Sequence, residues 1–161
     1  MSDFRIDVAD LLRHPGARRE LRRSAAVDGL GTPTARVVGP VELDLVLERV
    51  SEGIVVRGTI RARFEAECGV CLGEVAAEVD VAVSELYEDD AVEGDTYPLL
   101  GHVIDLEQLV RDAVLLELPL APTCASTGGA ACTPEPVDYE FDDDADASVD
   151  PRWAVLSELE L

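Results

Sequence analysis

Four cysteines are the residues of this chain whose type and spacing best support a chemical role. Cys68 and Cys71 form a Cys-x-x-Cys pair, and Cys124 and Cys132 follow more than fifty residues later. Zn²⁺ prefers thiolate ligands, and two intervening residues allow both sulfurs of a pair to reach one ion. The seven residues between the later cysteines exceed the usual spacing, which makes them the weaker half of the pattern. We predict a structural zinc site formed by all four.

Three other uses of the cysteines stay open. A redox Cys-x-x-Cys pair opens a helix after a strand in thioredoxin-like proteins, whereas strand-like alternation stands on both sides of this pair. Disulfides are the second alternative. Residues 1–20 contain no apolar run typical of a signal peptide, which favours a reducing compartment and argues against disulfides. Free cysteines without a role are the third, and they do not explain a close pair.

The composition is typical of one domain with an ordinary core, since the chain has 161 residues of which 47% are hydrophobic. No apolar stretch approaches the length of a bilayer span, so we expect no membrane partner. The formal net charge is -21, from 34 acidic residues and 13 arginines. Such a chain repels polyanions on average and attracts basic partners.

The charge is unevenly distributed. Residues 1–36 hold seven arginines and five acidic residues, whereas residues 85–161 hold two arginines and twenty acidic residues. Four of the arginines lie close together in the sequence: Arg18, Arg19, Arg22 and Arg23. They are the candidate nucleic-acid-binding residues, because clustered arginines bind phosphates. The alternative, favoured by composition alone, is a solvated face whose arginines pair with the protein's own carboxylates.

Alternating hydropathy predicts an antiparallel sheet with strands at residues 41–48, 54–67 and 74–84. Gly39 and Pro40 mark the predicted start of the first strand, and the Cys-x-x-Cys pair caps the hairpin between the other two. One register allowed by the apolar faces also brings opposite charges together on the solvent side. It pairs Phe64 with Ala77, Ala62 with Val79, Arg63 with Glu78, and Arg61 with Asp80.

A helix from about 105 to 118 is predicted to cover the apolar face of this sheet. Asp105 and Gln108 match a capping box, an apolar stripe with spacings of three and four follows, and Pro119 ends the helix. The next residues would carry Cys124 toward the turn that holds Cys68 and Cys71, which we call the knuckle. Near the N-terminus we predict an edge strand at residues 4–8 and a second strand within 17–27. The predicted fold class is therefore α+β.

The predicted globular domain spans residues 1–132. Residues 133–149 are nearly all proline and acid, and we predict a disordered acidic linker there. Residues 150–161 match a short helix that carries Trp153 and Leu156 on one side. These two residues are predicted to dock on the protein's own core or on a partner.

Catalysis has little support in the sequence. His14 and His102 are the only histidines, no serine stands in a nucleophile elbow, and there is no phosphate-binding glycine loop. We therefore expect a protein that is not an enzyme.

The order of motifs resembles the bacterial YceD family, the large ribosomal RNA subunit accumulation proteins. The resemblance extends over nearly the whole chain and is most specific in three segments: FEAECGVCLGEV, IDLEQLVRDAVLLELPLAP and DPRWAVLSELEL. It implies a cytoplasmic, non-enzymatic factor that supports accumulation of large-subunit (23S) rRNA. Many members carry a fuller cysteine cluster after the helix, where this chain has Cys124 and Cys132.

The resemblance and the charge together leave three mechanisms open. The arginine cluster could contact pre-rRNA or an assembly intermediate against the repulsion of the whole chain. Alternatively, the acidic C-terminal half could bind a basic ribosomal protein, as an adapter or chaperone. The third mechanism is a regulatory zinc-binding module for other partners.

Overall fold

The structure, a computed structural model, describes residues 4–133. Within that range the chain forms seven strands and two helices: β1 Arg5–Asp7, α1 Ala9–Leu12, β2 Arg18–Ala25, β3 Ala35–Arg49, β4 Ile54–Glu67, β5 Glu74–Glu88, β6 Tyr97–Leu100, β7 Val103–Asp105 and α2 Glu107–Glu117. The predicted acidic linker, beyond Thr133, and the predicted helix with Trp153 and Leu156 lie outside the described residues. Neither helix of residues 4–133 has the length and apolar character that a bilayer crossing requires.

All seven strands belong to one sheet, in the order β1-β7-β6-β5-β4-β3-β2. Neighbouring strands are antiparallel except β5 and β6, which pair in parallel. The prediction of a wholly antiparallel sheet was therefore wrong at this pair. The reason is the turn between these strands, in which Thr96 donates its backbone N–H to the Val92 carbonyl at 2.9 Å. This turn reverses the chain twice, so that β6 starts beside the end of β5 and continues in the same direction.

The predicted central hairpin is confirmed. β4 has the predicted bounds, and β3 and β5 contain the other two predicted segments and extend beyond them. The register is also the predicted one, with Phe64 opposite Ala77 and Arg61 opposite Asp80. Arg61 Nε lies 2.9 Å from Asp80 Oδ2. Opposite charges on the solvent side thus favour the same alignment as the apolar face.

The prediction that Gly39 and Pro40 start a strand was wrong. β3 begins at Ala35, and its register against β4 shifts between Val38 and Glu42. Proline has no N–H to donate to a ladder, and Gly39 has a φ of +73° that favours glycine. The Gly-Pro pair therefore forms a bulge inside a long strand.

Helix α2 begins later than predicted and without the predicted capping box. Its N-cap is Leu106, which makes no side-chain cap bond. Asp105 Oδ1 instead accepts the backbone N–H of Glu107 at 3.0 Å, and Gln108 Nε2 donates to Asp112 Oδ1 at 2.7 Å. A carboxylate just before the first turn thus satisfies one of the open N–H groups, while the glutamine stabilises the helix surface.

The core lies between the apolar face of the sheet and α2. Residues of β3 and β4 with 0–3% exposure alternate with exposed ones, as the period of two requires. They meet three buried residues of the helix: Leu109, Val110 and Val114. Each large apolar side chain buried in this way stabilises the fold by about 1.5–3 kcal/mol. This layer fixes the β4–β5 hairpin and the end of α2, the two segments that carry the cysteines.

Candidate metal centre and arginine-rich edge

The sulfurs of the four cysteines converge at the tip of the β4–β5 hairpin. All four Sγ atoms, of Cys68, Cys71, Cys124 and Cys132, lie within 4.8 Å of one another. Cys68 Sγ is 3.6 Å from Cys132 Sγ, and Cys71 Sγ is 3.6 Å from Cys124 Sγ. Each of these short contacts therefore joins the knuckle to the later segment.

These distances fit a tetrahedral metal ion. Four sulfurs that each lie about 2.3 Å from a central Zn²⁺ are about 3.8 Å from one another. A disulfide would require about 2.05 Å, and all four cysteines are free. The donor set and its spacing thus match a closed four-thiolate zinc site.

The knuckle is shaped by its own backbone. Cys68 follows the last residue of β4 and is buried, and its N–H donates to the Gly73 carbonyl at 2.8 Å. Leu72 donates its N–H to the Cys68 carbonyl at 2.9 Å and has a left-handed φ of 60°. The N–H of Val70 points at Cys68 Sγ over 3.4 Å. The turn therefore places the sulfurs of Cys68 and Cys71 on the same side and donates a hydrogen bond to one of them.

The loop after α2 has a structure that the sequence analysis missed. Thr123 and Ser126 exchange bonds, since Ser126 Oγ accepts the Thr123 N–H at 2.8 Å and Thr123 Oγ1 accepts the Ser126 N–H at 3.1 Å. Gly129 N–H then donates to the Cys124 carbonyl at 2.8 Å. The small residues at 125–132 left open whether this segment folds around an ion or stays loose. The spacing of Thr123 and Ser126, which is that of a capping box, was the available signal.

The protonation of the cluster is uneven. Backbone N–H groups, chiefly those of Cys71 and Val70, lower the pKa of Cys68 to about 6. Hydrogen bonds with the sulfurs of Cys132, Cys71 and Cys68 raise the pKa of Cys124 to about 12. The pKa of Cys132 is also raised, first by its bond with Cys71. A metal ion must therefore displace protons from the later cysteines, and binding should weaken as the pH falls.

The arginine cluster of the sequence is divided between two faces of β2, the outermost strand. Strand alternation puts Arg18 and Arg22 on the outer face, and puts Arg19 and Arg23 on the face that carries Leu21. Arg19 pairs with Asp10 at 2.9 Å, and Arg22 lies 3.4 Å from Asp44. Arg18 and Arg23 make no ion pair with any residue of the range 4–133. The structure thus does not bring the four together as one patch, and nucleic-acid binding by them stays a prediction.

Other arginines of the outer face of the sheet are paired across strands. Arg57 lies 2.8 Å from Glu48, and Arg36 lies 2.8 Å from Glu65. Together with Arg61 and its partner on β5, these contacts make a mixed-charge surface. Exposed pairs of this kind contribute little to stability, about 0–1 kcal/mol each. They do reduce the attraction of this face for a polyanion.

A family model described as large ribosomal RNA subunit accumulation protein YceD matches residues 56–160. The chain belongs to the YceD family. The span matched by the YceD model contains all four cysteines, whereas the arginine-rich strand β2 precedes it. The description names accumulation of ribosomal RNA and no catalytic reaction.

Several bacterial proteins are similar to this YceD chain. An uncharacterized protein of Mycobacterium tuberculosis is 37% identical over 169 residues, which cover 98% of this chain and 82% of the relative. An uncharacterized protein of Mycobacterium leprae is 35% identical, with 96% and 76% covered. The uncharacterized protein YlbN of Bacillus subtilis is 26% identical, with 77% and 76% covered. No solved structure matches the chain significantly.

Proposed function

We propose that this protein is a non-enzymatic cytoplasmic factor that supports accumulation of large-subunit (23S) rRNA, and that Cys68, Cys71, Cys124 and Cys132 hold one structural Zn²⁺. The observation that carries the proposal is the cluster of four sulfurs inside the span that matches the YceD family. The ribosomal role rests on the description of that family.

The four-cysteine set favours a structural ion over a catalytic one. A zinc ion with four thiolate ligands has no open position for water or substrate, whereas catalytic zinc keeps one. Bound here, the ion would join the hairpin tip to the loop after α2. The protein also stabilises a ligand of the ion, since the Val70 N–H donates a hydrogen bond to the Cys68 sulfur. A closed site of this kind supports a structural, non-catalytic role for the ion.

Direct contact with pre-rRNA, through the exposed arginines of β2, is the leading mechanism that we propose. Arg18 and Arg23 are exposed and unpaired with other residues of 4–133, so both are accessible to phosphates. The net charge of -21 opposes binding, and the affinity should therefore be modest and strongly salt-dependent.

Complementation tests both the ribosomal role and this mechanism. We expect cells that lack the protein to have less mature large-subunit rRNA relative to small-subunit rRNA. An Arg18→Gln, Arg23→Gln variant should restore the ratio only partly, and in vitro each lost phosphate contact should reduce the salt slope of RNA binding by about one unit. A matched control, Arg5→Gln with Arg13→Gln, removes two exposed arginines outside β2. An unchanged rRNA ratio in cells without the protein would contradict the ribosomal role.

The alternative that we propose is an acidic adapter, stabilised by zinc, for a basic ribosomal protein. The exposed turn between β5 and β6 supports it, because it contains four acidic residues that make no ion pair within residues 4–133: Asp89, Asp90, Glu93 and Asp95. The acidic C-terminal half extends the same charge.

A charge-removal variant separates the two mechanisms. Replacing Asp142, Asp143, Asp144 and Asp146 with Asn weakens any binding to a basic protein and leaves the arginines unchanged. Full rescue of rRNA by the arginine variant, with failure of the aspartate variant, would reject direct RNA contact through β2 and support the adapter. Full rescue by both would contradict both mechanisms.

A further inference from the structure

The short sulfur contacts of the cysteine cluster join two separate pairs. Cys71 Sγ lies 3.6 Å from Cys124 Sγ, and Cys68 Sγ lies 3.6 Å from Cys132 Sγ. A disulfide bond is about 2.05 Å long, so each pair has to close by roughly 1.5 Å to form one. The two contacts share no sulfur, and the chain has four cysteines. Two disulfides across the segments would therefore use every thiol of the chain.

The alternative is one disulfide within each segment, from Cys68 to Cys71 and from Cys124 to Cys132. These sulfurs also lie within 4.8 Å of each other. Such bridges close short loops and leave the knuckle unconnected to the loop after α2. The bridges across the segments join residues 64 and 53 positions apart. Because a disulfide that closes a longer loop restricts the unfolded chain more, the bridges across the segments stabilise the fold more.

The cluster is accessible to a small oxidant. Cys71 is exposed, Cys124 and Cys132 are partly exposed, and Cys68 is buried. Each pair across the segments thus contains a sulfur that solvent reaches. The thiolate is the reactive form of cysteine, and it is also the form that a metal ion binds. Residues that fit a zinc site therefore also fit oxidation at sulfur.

We propose that the four cysteines form a reversible oxidation site, at which hydrogen peroxide produces the disulfides Cys71–Cys124 and Cys68–Cys132 and thereby releases the bound ion. The release rests on the proposed zinc site, whereas the pairing of the sulfurs does not. In each pair the more exposed thiolate attacks one peroxide oxygen, becomes a sulfenic acid and expels hydroxide. The partner thiolate then attacks the sulfenic sulfur, which forms the S–S bond and expels a second hydroxide. Two thiolates, two protons and one peroxide thus give one disulfide and two waters.

Oxidation changes the metal content but keeps the two segments joined. Zn²⁺ binds thiolates, and a disulfide no longer offers them. The two covalent bonds then connect the knuckle to the loop after α2 in place of the ion. A small thiol reverses the reaction by thiol–disulfide exchange, after which the reduced site binds metal again.

Peroxide treatment of the full-length protein, followed by peptide mapping and metal analysis, tests the proposal. We expect zinc and all four free thiols to be lost together, with about two peroxides consumed per chain. Dithiothreitol followed by Zn²⁺ should restore both. Links between two chains, or sulfinic acids without disulfides, would overturn the proposal. Retention of zinc and thiols at a peroxide dose that fully oxidises free cysteine would overturn it as well.

Two single replacements determine which sulfurs pair. After oxidation, the Cys71→Ser and Cys124→Ser proteins should both contain the Cys68–Cys132 disulfide and keep one free thiol. Pairing within each segment would instead give Cys124–Cys132 in the first variant and Cys68–Cys71 in the second, and would overturn the proposal. Mapping of the unsubstituted protein gives the same answer if a variant fails to fold.

The outcome for the proposed zinc site is read separately. A protein purified without zinc that still forms the two disulfides across the segments would contradict the zinc site and support the pairing. A zinc-loaded protein that forms other links would support the zinc site and overturn the pairing.

Discussion

The backbone N–H of Gly69 donates to the carbonyl oxygen of Pro122 over 2.9 Å. This bond joins the knuckle to the second cysteine loop through the main chain, in addition to the sulfur contacts. A Cβ atom at Gly69 would lie 3.7 Å from the same oxygen, an ordinary contact, so the bond does not depend on glycine. The two halves of the candidate metal centre are thus held in place by the protein as well as by any ion.

We expect the protein, purified without chelator, to contain about one Zn²⁺ per chain. Removing the ion should lower the unfolding temperature, because the metal–sulfur bonds between the loop after α2 and the hairpin are then lost. Metal analysis and thermal unfolding with and without chelator measure both effects. Absence of metal, with all four thiols freely titratable in the native protein, would contradict the zinc site.

Replacement of Cys68 should cost more stability than replacement of Cys132. Cys68 is buried beside β4, and its sulfur accepts the Val70 N–H, whereas Cys132 is half-buried in the loop after α2. We expect the Cys68→Ser protein to unfold roughly 5 °C below the Cys132→Ser protein. Thermal unfolding of both variants, each with its zinc content measured, makes the comparison. Equal unfolding temperatures would show that the knuckle has no special role.

The parts of the fold that sequence predicted are those set by a repeated pattern. Along β4 and β5 alternate residues are apolar, with Gly58 and Glu85 as exceptions, and the charges of Arg61 and Asp80 select the same alignment. One wrong register would bury charges along the whole hairpin, so the pattern determines it strongly. The cysteine pairs were predicted in the same way, from residue type and spacing.

The parts that sequence did not predict depend on contacts between distant residues. Strand β6 has four residues, and its pairing with β5 depends on a turn whose bonds involve Val92 and Thr96. Gly39 and Pro40 commonly begin or end strands, and only the pairing of both flanks with β4 identifies a bulge. The ordered turn around Cys124 depends on hydrogen bonds between Thr123 and Ser126, and a hydropathy pattern does not indicate such side-chain bonds.

Gly58, in the middle of β4, should tolerate no side chain. A Cβ atom there would lie 2.2 Å from the Asp44 carbonyl oxygen and 2.8 Å from Leu45 Cα, and its φ is +147°. We expect Gly58→Ala to destabilise the fold by about 2–4 kcal/mol through displacement of β3. Urea unfolding measures this free energy. The control is Gly94→Ala, where the φ is +84° but no atom lies within 4 Å, with an expected cost of about 1 kcal/mol. Equal costs would attribute the effect to backbone strain alone.

Two tyrosines should make the fold sensitive to alkaline pH. The rings of Tyr87 and Tyr97 stack with centroids 5.2 Å apart. The hydroxyl of Tyr87 donates to the Asp105 carbonyl at 3.2 Å, and that of Tyr97 donates to Asp112 Oδ2 at 3.0 Å. Burial, and then the negative groups nearby, raises the pKa of both hydroxyls above the usual value of about 10.

The raised pKa values fix the direction of the pH effect. Above about pH 10 the unfolded chain loses the tyrosine protons while the folded chain keeps them, so the free energy of unfolding falls as pH rises. Tyr87, which is fully buried, lowers the free energy of unfolding by up to about 1.4 kcal/mol for each pH unit. Tyr97 is partly exposed and contributes less, so Tyr97→Phe should retain the larger part of the slope. Tyrosinate absorbance and circular dichroism, followed together, should show Tyr87 ionising only as the fold is lost; ionisation of both tyrosines near pH 10 in a folded protein would contradict this.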